Sequence, residues 1–165
     1  TVEAMAKEGR PFQGCLYFGL MLTPDGPRVV EYNSRFGDPE TQPVLSLLKT
    51  DLMDIMLACT NGTLDQLDIQ WSDGAACCIV MASGGYPASY KKGYAISGLD
   101  SVGKDVLVYH AGTKLEGGKY YTNGGRVLGV TATADTLENA IAKAYDAVHG
   151  ISFQDAHYRT DIGQK

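Results

Sequence analysis

Val30-Glu31-Tyr32-Asn33-Ser34-Arg35-Phe36-Gly37-Asp38-Pro39-Glu40-Thr41-Gln42 is the one chemically loaded segment of the chain. It follows two apolar runs and precedes a helical one, so its first residues end a strand and its last open a helix. Side chains two apart on a strand face the same side, so Glu31 and Asn33 project a carboxylate and an amide oxygen together, while Val30 and Tyr32 face the other way. Two hard oxygen donors aimed jointly suit Mg2+ (or Mn2+), which takes few protein ligands beside substrate phosphates and leaves its other positions to water and phosphate oxygens. Arg35 adds a planar guanidinium fork matched to a carboxylate or a transferring phosphoryl group. Asp38 and Glu40 complete the loop. Taken singly, each residue has a plain structural reading: Glu and Asn at a strand end solvate an edge, and Asp38 and Glu40 favour a helix N-terminus. Paired carboxylates are also the acids of glycosidases, but the adjoining arginine and amide suit a metal and phosphate site better.

Outward from this segment, the apolar run Cys15 to Leu22, the turn Thr23-Pro24-Asp25-Gly26 and the run Arg28 to Asn33 predict an antiparallel hairpin. Pro43 has no N–H and belongs in a first helical turn, which puts the N-cap near Glu40, Thr41 or Gln42 and makes 34–40 a loop. Leu45, Leu48, Leu52, Ile55, Met56 and Cys59 keep helical spacing up to Asn61-Gly62, with a candidate break at Lys49-Thr50. Asn61-Gly62-Thr63 reads as a helix-ending turn rather than a glycosylation sequon. From Ile69 the texture changes to short β-like runs between glycine turns: Ala75 to Met81, Asp105 to Ala111 and Arg126 to Thr131. A boundary between 64 and 68 divides the chain into 1–66 and 67–165, and the whole reads as an α/β (α+β) fold. Asp135-Thr136-Leu137-Glu138 resembles a capping box, followed by an apolar helical face of Leu137, Ala140, Ile141, Ala144 and Val148 that stops at Gly150. The chain opens at Thr1 without an initiator Met, on a helix-like stretch from Val2 to Glu8, so an upstream portion is expected to have been removed.

Composition narrows the function class. The 14 Lys and Arg are outnumbered by 19 Asp and Glu for a net charge of -5, and the basic residues are scattered, so no stripe exists to bind nucleic acid. No apolar run approaches the ~20 residues of a membrane span, and a cytoplasmic location is expected. The 4 cysteines form no C-x-x-C pair and read as buried small hydrophobes. The 3 histidines lack metal-site spacing and read as surface or turn residues. Gly84-Gly85 and Gly124-Gly125 fit no phosphate-loop fingerprint and read as turns. Arg126, directly after the second pair, either reaches into a cleft or is simply solvated. The tyrosines in the glycine-rich loops read as packing residues, without the basic interleaving of a base-stacking platform.

The run from Val30 to Gln42 resembles the metal-binding signature of the glycinamide ribonucleotide synthetases, the phosphoribosylamine-glycine ligase family of the ATP-grasp superfamily. ATP-grasp enzymes at large share the Glu-x-Asn core and a following Arg; the continuation Phe36-Gly37-Asp38-Pro39-Glu40-Thr41-Gln42 resembles this family in particular. So do Ala82-Ser83-Gly84-Gly85-Tyr86-Pro87, Lys92-Gly93-Tyr94, His110-Ala111-Gly112-Thr113, the stretch from Thr122 to Val130 and the stretch from His157 to Gly163, in order along the chain. The resemblance implies the C-terminal part of an ATP-grasp lobe, an antiparallel sheet with helices, in 1–66, and a small mixed β/α C-terminal domain in 67–165. It implies Glu31 and Asn33 as Mg2+ ligands, Arg35 as the catalytic group beside the transferred phosphoryl, and Asp38 and Glu40 as substrate contacts; Arg126 is a candidate substrate contact from its position alone, reaching into a cleft between the two parts of the chain. The preceding strand, Tyr17 to Leu22, offers no further acidic ligand. ATP, glycine and 5-phosphoribosylamine are the implied substrates. The N-terminal part of the same enzyme is the implied partner, and the chain by itself is expected not to catalyse. Two other functions stay open at this point: another ATP-grasp carboxylate-amine ligase, or a non-catalytic binding domain derived from the fold.

Overall fold

The computed structural model of the chain describes residues 1–164. In chain order its elements are α1 (Val2–Lys7), β1 (Tyr17–Thr23), β2 (Gly26–Asn33), α2 (Thr41–Ser46), α3 (Leu52–Asn61), β3 (Ala75–Ser83), β4 (Val106–His110), β5 (Thr113–Glu116), β6 (Lys119–Thr122), β7 (Arg126–Ala134), α4 (Leu137–Gly150) and β8 (Ala156–His157). They form two compact units, one of Thr1–Asp38 with Leu48–Trp71, the other of Pro39–Leu47 with Ser72–Lys165. The segment carrying α2 therefore groups with the later part of the chain.

In the first unit β1 and β2 pair as the antiparallel hairpin that the sequence predicts, around a turn in which Thr23 Oγ1 donates to Gly26 O at 2.7 Å. Gly19 faces Glu31 but Leu20 faces Val29, so Val30 is an extra residue on β2. Such a bulge re-aims side chains locally and increases strand twist. The predicted run of helical spacing from Leu45 to Cys59 is broken into α2 and α3 at the expected place. Lys49 and Thr50 send their N–H groups to Gln70 O at 2.9 and 3.3 Å, and the Asp51 carboxylate caps α3 by accepting from Met53 N at 2.7 Å. A side chain that captures the first N–H groups is a ready helix start, and pairing outside the helix removes the preceding residues from it. At the other end Gly62, at φ 70°, closes α3 in the left-handed conformation, with Thr63 N bonded to Ala58 O at 2.9 Å.

The second unit is built on a four-stranded antiparallel sheet in the order β4-β7-β3-β8, with β5 and β6 as a separate hairpin. Alternation along β3 turns Cys77, Ile79 and Met81 toward Ala140, Ala144 and Val148 of α4, and these residues form the core. Each large aliphatic side chain buried there contributes about 1.5–3 kcal/mol. Cys78 alternates to the opposite face, where α2 lies close: Gln42 Cγ and Cys78 Sγ both approach Gly129.

Several sequence expectations need correction. The α4 cap is Thr136, whose Oγ1 accepts from Asn139 N at 3.2 Å; the third residue beyond the cap is thus an amide rather than Glu138, and no acidic capping box forms. Leu137, expected on the apolar face, is 51% exposed, because the first helical residue lies beyond the reach of the sheet. Of the cysteines only Cys77 is buried, and burial pushes its thiol pKa up; no disulfide forms among the described residues. Strands β5, β6 and β8, of 4, 4 and 2 residues, add to the runs that the sequence predicts as strands. No helix among the described residues is long and apolar enough to cross a membrane.

Candidate metal and phosphate site

Glu31 and Asn33 sit at the end of β2, opposite Gly19 and Tyr17 of β1. Asn33 Nδ2 donates to Glu31 Oε1 at 2.9 Å, so both side chains reach the same point on one face of the strand. The opposite face carries Phe18 and Tyr32, whose rings meet edge-on at 4.9 Å. Glu31 lies over Gly19 of β1: a methyl there would stand 3.1 Å from Glu31 Cγ, a tight contact that a small shift of the side chain relieves. A half-turn about Asn33 χ2 exchanges the amide nitrogen for its oxygen, and the pair then presents two oxygens to one cation. This donor set fits a hard divalent ion completed by water and phosphate oxygens. Among the described residues no three His, Cys, Asp or Glu side chains converge on a common point, so the fit rests on these two.

Beyond the strand the chain turns, and Arg35 Nη1 donates to Phe36 O at 2.9 Å, holding its guanidinium against the loop two residues from Asn33. Arg35 and Asp38 belong to the same compact unit as the Glu31–Asn33 pair. Glu40 and Arg126 belong to the other. Glu40 is the N-cap residue of α2, its carbonyl accepting from Val44 N at 3.2 Å, and its carboxylate makes no capping bond.

Arg126, at the start of β7, lines a cavity of about 360 Å³ within the second unit. Val80 and Ala82 give it apolar lining, Tyr86, His157 and Tyr158 contribute rings, and Arg159 supplies a second guanidinium; no Asp or Glu lines it. The Tyr86 wall is preset. Ser83 N and Oγ donate to Gly125 O and Gly124 O, both at 2.8 Å, and a side chain at Gly125 would overlap the Tyr86 ring. Arg159 is clamped by Asp161, Nε and Nη2 reaching the two carboxylate oxygens at 2.8 and 2.7 Å. That hydrogen bonding raises the Arg159 pKa and lowers that of Asp161. Arg126 thus lines a concavity confined to the second unit. The cavity also gathers Tyr86 and His157, expected as packing and surface residues, and Tyr158 and Arg159, to which the sequence assigns no separate role. The signal for the last three was the run from His157 to Gly163, whose order matched the family but whose residues had no assigned part.

Residues 76–165 match the sequence family described as phosphoribosylglycinamide synthetase, C domain, and residues 1–41 match its ATP-grasp (A) domain. The chain belongs to the phosphoribosylglycinamide synthetase family. Among similar proteins, the phosphoribosylamine-glycine ligase of Synechocystis sp. is 54% identical over 168 residues, covering 100% of this chain and 40% of the relative. A bifunctional purine biosynthetic protein of Pichia angusta is 52% identical and is covered over 21% of its length. The crystal structure of phosphoribosylamine-glycine ligase from Thermotoga maritima superposes with a TM-score of 0.82 at 35% identity, over 96% of this chain and 39% of that one. Biotin carboxylase from Campylobacter jejuni, at 14% identity and TM-score 0.62, shares the fold alone. The chain thus spans about 40% of the length of the synthetase-family relative from Synechocystis. The Glu31–Asn33 strand lies inside the ATP-grasp match and Arg126 inside the C-domain match.

Proposed function

We propose that this chain is the part of an ATP-dependent ligase that holds the metal-phosphate end of the active site and one wall of the substrate site. The ligase joins glycine to 5-phosphoribosylamine in purine biosynthesis, in the cytoplasm. Residues 1–66 are then the end of the ATP-grasp domain and 67–165 the C-terminal domain. The observation that carries the reading is the meeting of Glu31 and Asn33 on one face of β2, at 2.9 Å, with Arg35 on the loop directly beyond.

In this reaction the glycine carboxylate attacks the γ-phosphorus of ATP, releasing ADP and forming glycyl phosphate. The amine of phosphoribosylamine then attacks the acyl carbon; phosphate departs, the amine loses a proton, and glycinamide ribonucleotide is the product. Little covalent chemistry falls to the protein, so its residues act by position and charge. Glu31 and Asn33 hold Mg2+ (or Mn2+), which when bound offsets negative charge on the nucleotide phosphates. Arg35 directs N–H donors at the oxygens of the transferring phosphoryl group, where negative charge is greatest. Asp38 and Glu40 contact substrate from the loop. Arg126, in a cavity that no Asp or Glu lines and beside an Arg159 already paired with Asp161, receives the phosphate of phosphoribosylamine.

The test is steady-state ADP release by the intact protein, which should require both glycine and phosphoribosylamine. Under the same conditions Arg126→Ala is expected to raise the KM for phosphoribosylamine about 10- to 100-fold, the equivalent of one lost charge-assisted hydrogen bond. The KM for ATP should stay within about twofold. ADP release without glycine dependence would reject the ligase reading, and an unchanged KM for phosphoribosylamine would remove Arg126 from the substrate site.

A further inference from the structure

The cavity wall formed by Tyr158, Arg159 and Ile162 is irregular chain near the end of the second unit, without a ladder of strand hydrogen bonds to hold it. Tyr158 and Ile162 pack against the core, and one side chain of α4 ties the backbone between them. The Tyr145 hydroxyl donates its proton to Arg159 O at 2.8 Å and accepts the N–H of Ile162 at 3.0 Å, so a single oxygen pins both ends of the turn from 159 to 162. One turn earlier on α4, Ile141 lies so close to Gly163 that a side chain there would overlap it. The turn is closed from its other side by the Arg159–Asp161 pair. Tyr145 itself does not line the cavity; its ring is partly buried against the core, so α4 delivers the hydroxyl from a rigid base.

We propose that Tyr145 is a positioning residue for ligand binding in this cavity. Its hydroxyl holds the Tyr158–Ile162 wall, and with it the Arg159 guanidinium, in the arrangement that receives an anionic substrate. The inference rests on the reading of the cavity as the phosphoribosylamine site, but it assigns a role to a residue outside that site. Without the hydroxyl, the turn must be ordered at the moment of binding, so affinity falls while the chemical step, which uses other residues, does not.

The variant Tyr145→Phe keeps the ring and its packing and removes only the oxygen. In the intact ligase it is expected to raise the KM for phosphoribosylamine about fivefold to tenfold, with kcat and the KM for ATP within about twofold of the parent. Hydrogen exchange at the Ile162 amide should quicken in the same protein. Faster exchange with an unchanged KM for phosphoribosylamine would show the hydroxyl to be structural only and overturn the inference. Unchanged exchange would overturn it too, since the clip would then hold nothing. Arg126→Ala, measured alongside, separates the two layers. If it leaves KM untouched, the substrate reading of the cavity fails; if it raises KM and Tyr145→Phe does not, only the role of Tyr145 fails.

Discussion

On the proposed function, Glu31→Ala in the intact protein is expected to lower turnover at least about a hundredfold, the scale on which a preorganised electrostatic contact in an active site acts. The reasoning begins with the hairpin. Two positions apart on β2, Glu31 and Asn33 share a face, and the 2.9 Å hydrogen bond between them shows that their polar ends reach one point. Removing the carboxylate leaves the amide as a single neutral donor, too weak to retain a strongly hydrated divalent ion against water. Charge building up on the phosphoryl oxygens then loses the share of stabilisation that the metal would supply. Folding should be little affected, because Glu31 is exposed and its partner Asn33 only half-buried. Turnover and thermal melting measured on the same preparation separate the two effects. Near-normal turnover at saturating Mg2+ would contradict the role given to Glu31.

The largest expected effect on stability lies elsewhere, at Gly98. This residue precedes a short 3-10 turn with φ at 85°, and a methyl group on it would overlap the Gly150 carbonyl oxygen at the end of α4. Gly98→Ala therefore combines left-handed strain of about 1–2 kcal/mol with backbone overpacking of a further 1–3 kcal/mol, about 3 kcal/mol in all. Gly117 is the control. It has φ at 54° with open space around it, so Gly117→Ala should lose only the conformational part, about 1 kcal/mol. Denaturant midpoints for the two variants check the contrast; equal losses would mean that the approach of Gly98 to Gly150 carries no energetic weight.

Much of this was legible from residue order because the informative signals were local. The hairpin showed in two apolar runs around Thr23-Pro24-Asp25-Gly26, and the shared face of Glu31 and Asn33 followed from strand periodicity alone. The break between α2 and α3 was legible at Lys49-Thr50, although the Asp51 cap that starts α3 was not. What stayed hidden depends on contacts distant in sequence. Strand β8 exists because Ala82 and Ser83 offer an edge to His157 and Ala156, and two residues carry no period to detect. The same holds for the bulge at Val30, which periodicity does not reveal, and for the grouping of α2 with the later part of the chain, which depends on its packing at Gly129. The cavity around Arg126 draws on five separate stretches of chain, including Pro39, Cys78, Tyr86 and His157, so no local pattern could have outlined it.

The most direct test is anomalous diffraction from crystals of the intact ligase grown with Mn2+ and a non-hydrolysable ATP analogue. A manganese peak should appear bonded to a Glu31 carboxylate oxygen and to the Asn33 amide oxygen, at about 2.0–2.3 Å, with nucleotide phosphate oxygens completing the shell. Manganese bound to the nucleotide but held by other side chains, with Asn33 still donating its amide nitrogen to Glu31, would contradict the assignment on which the proposed function stands.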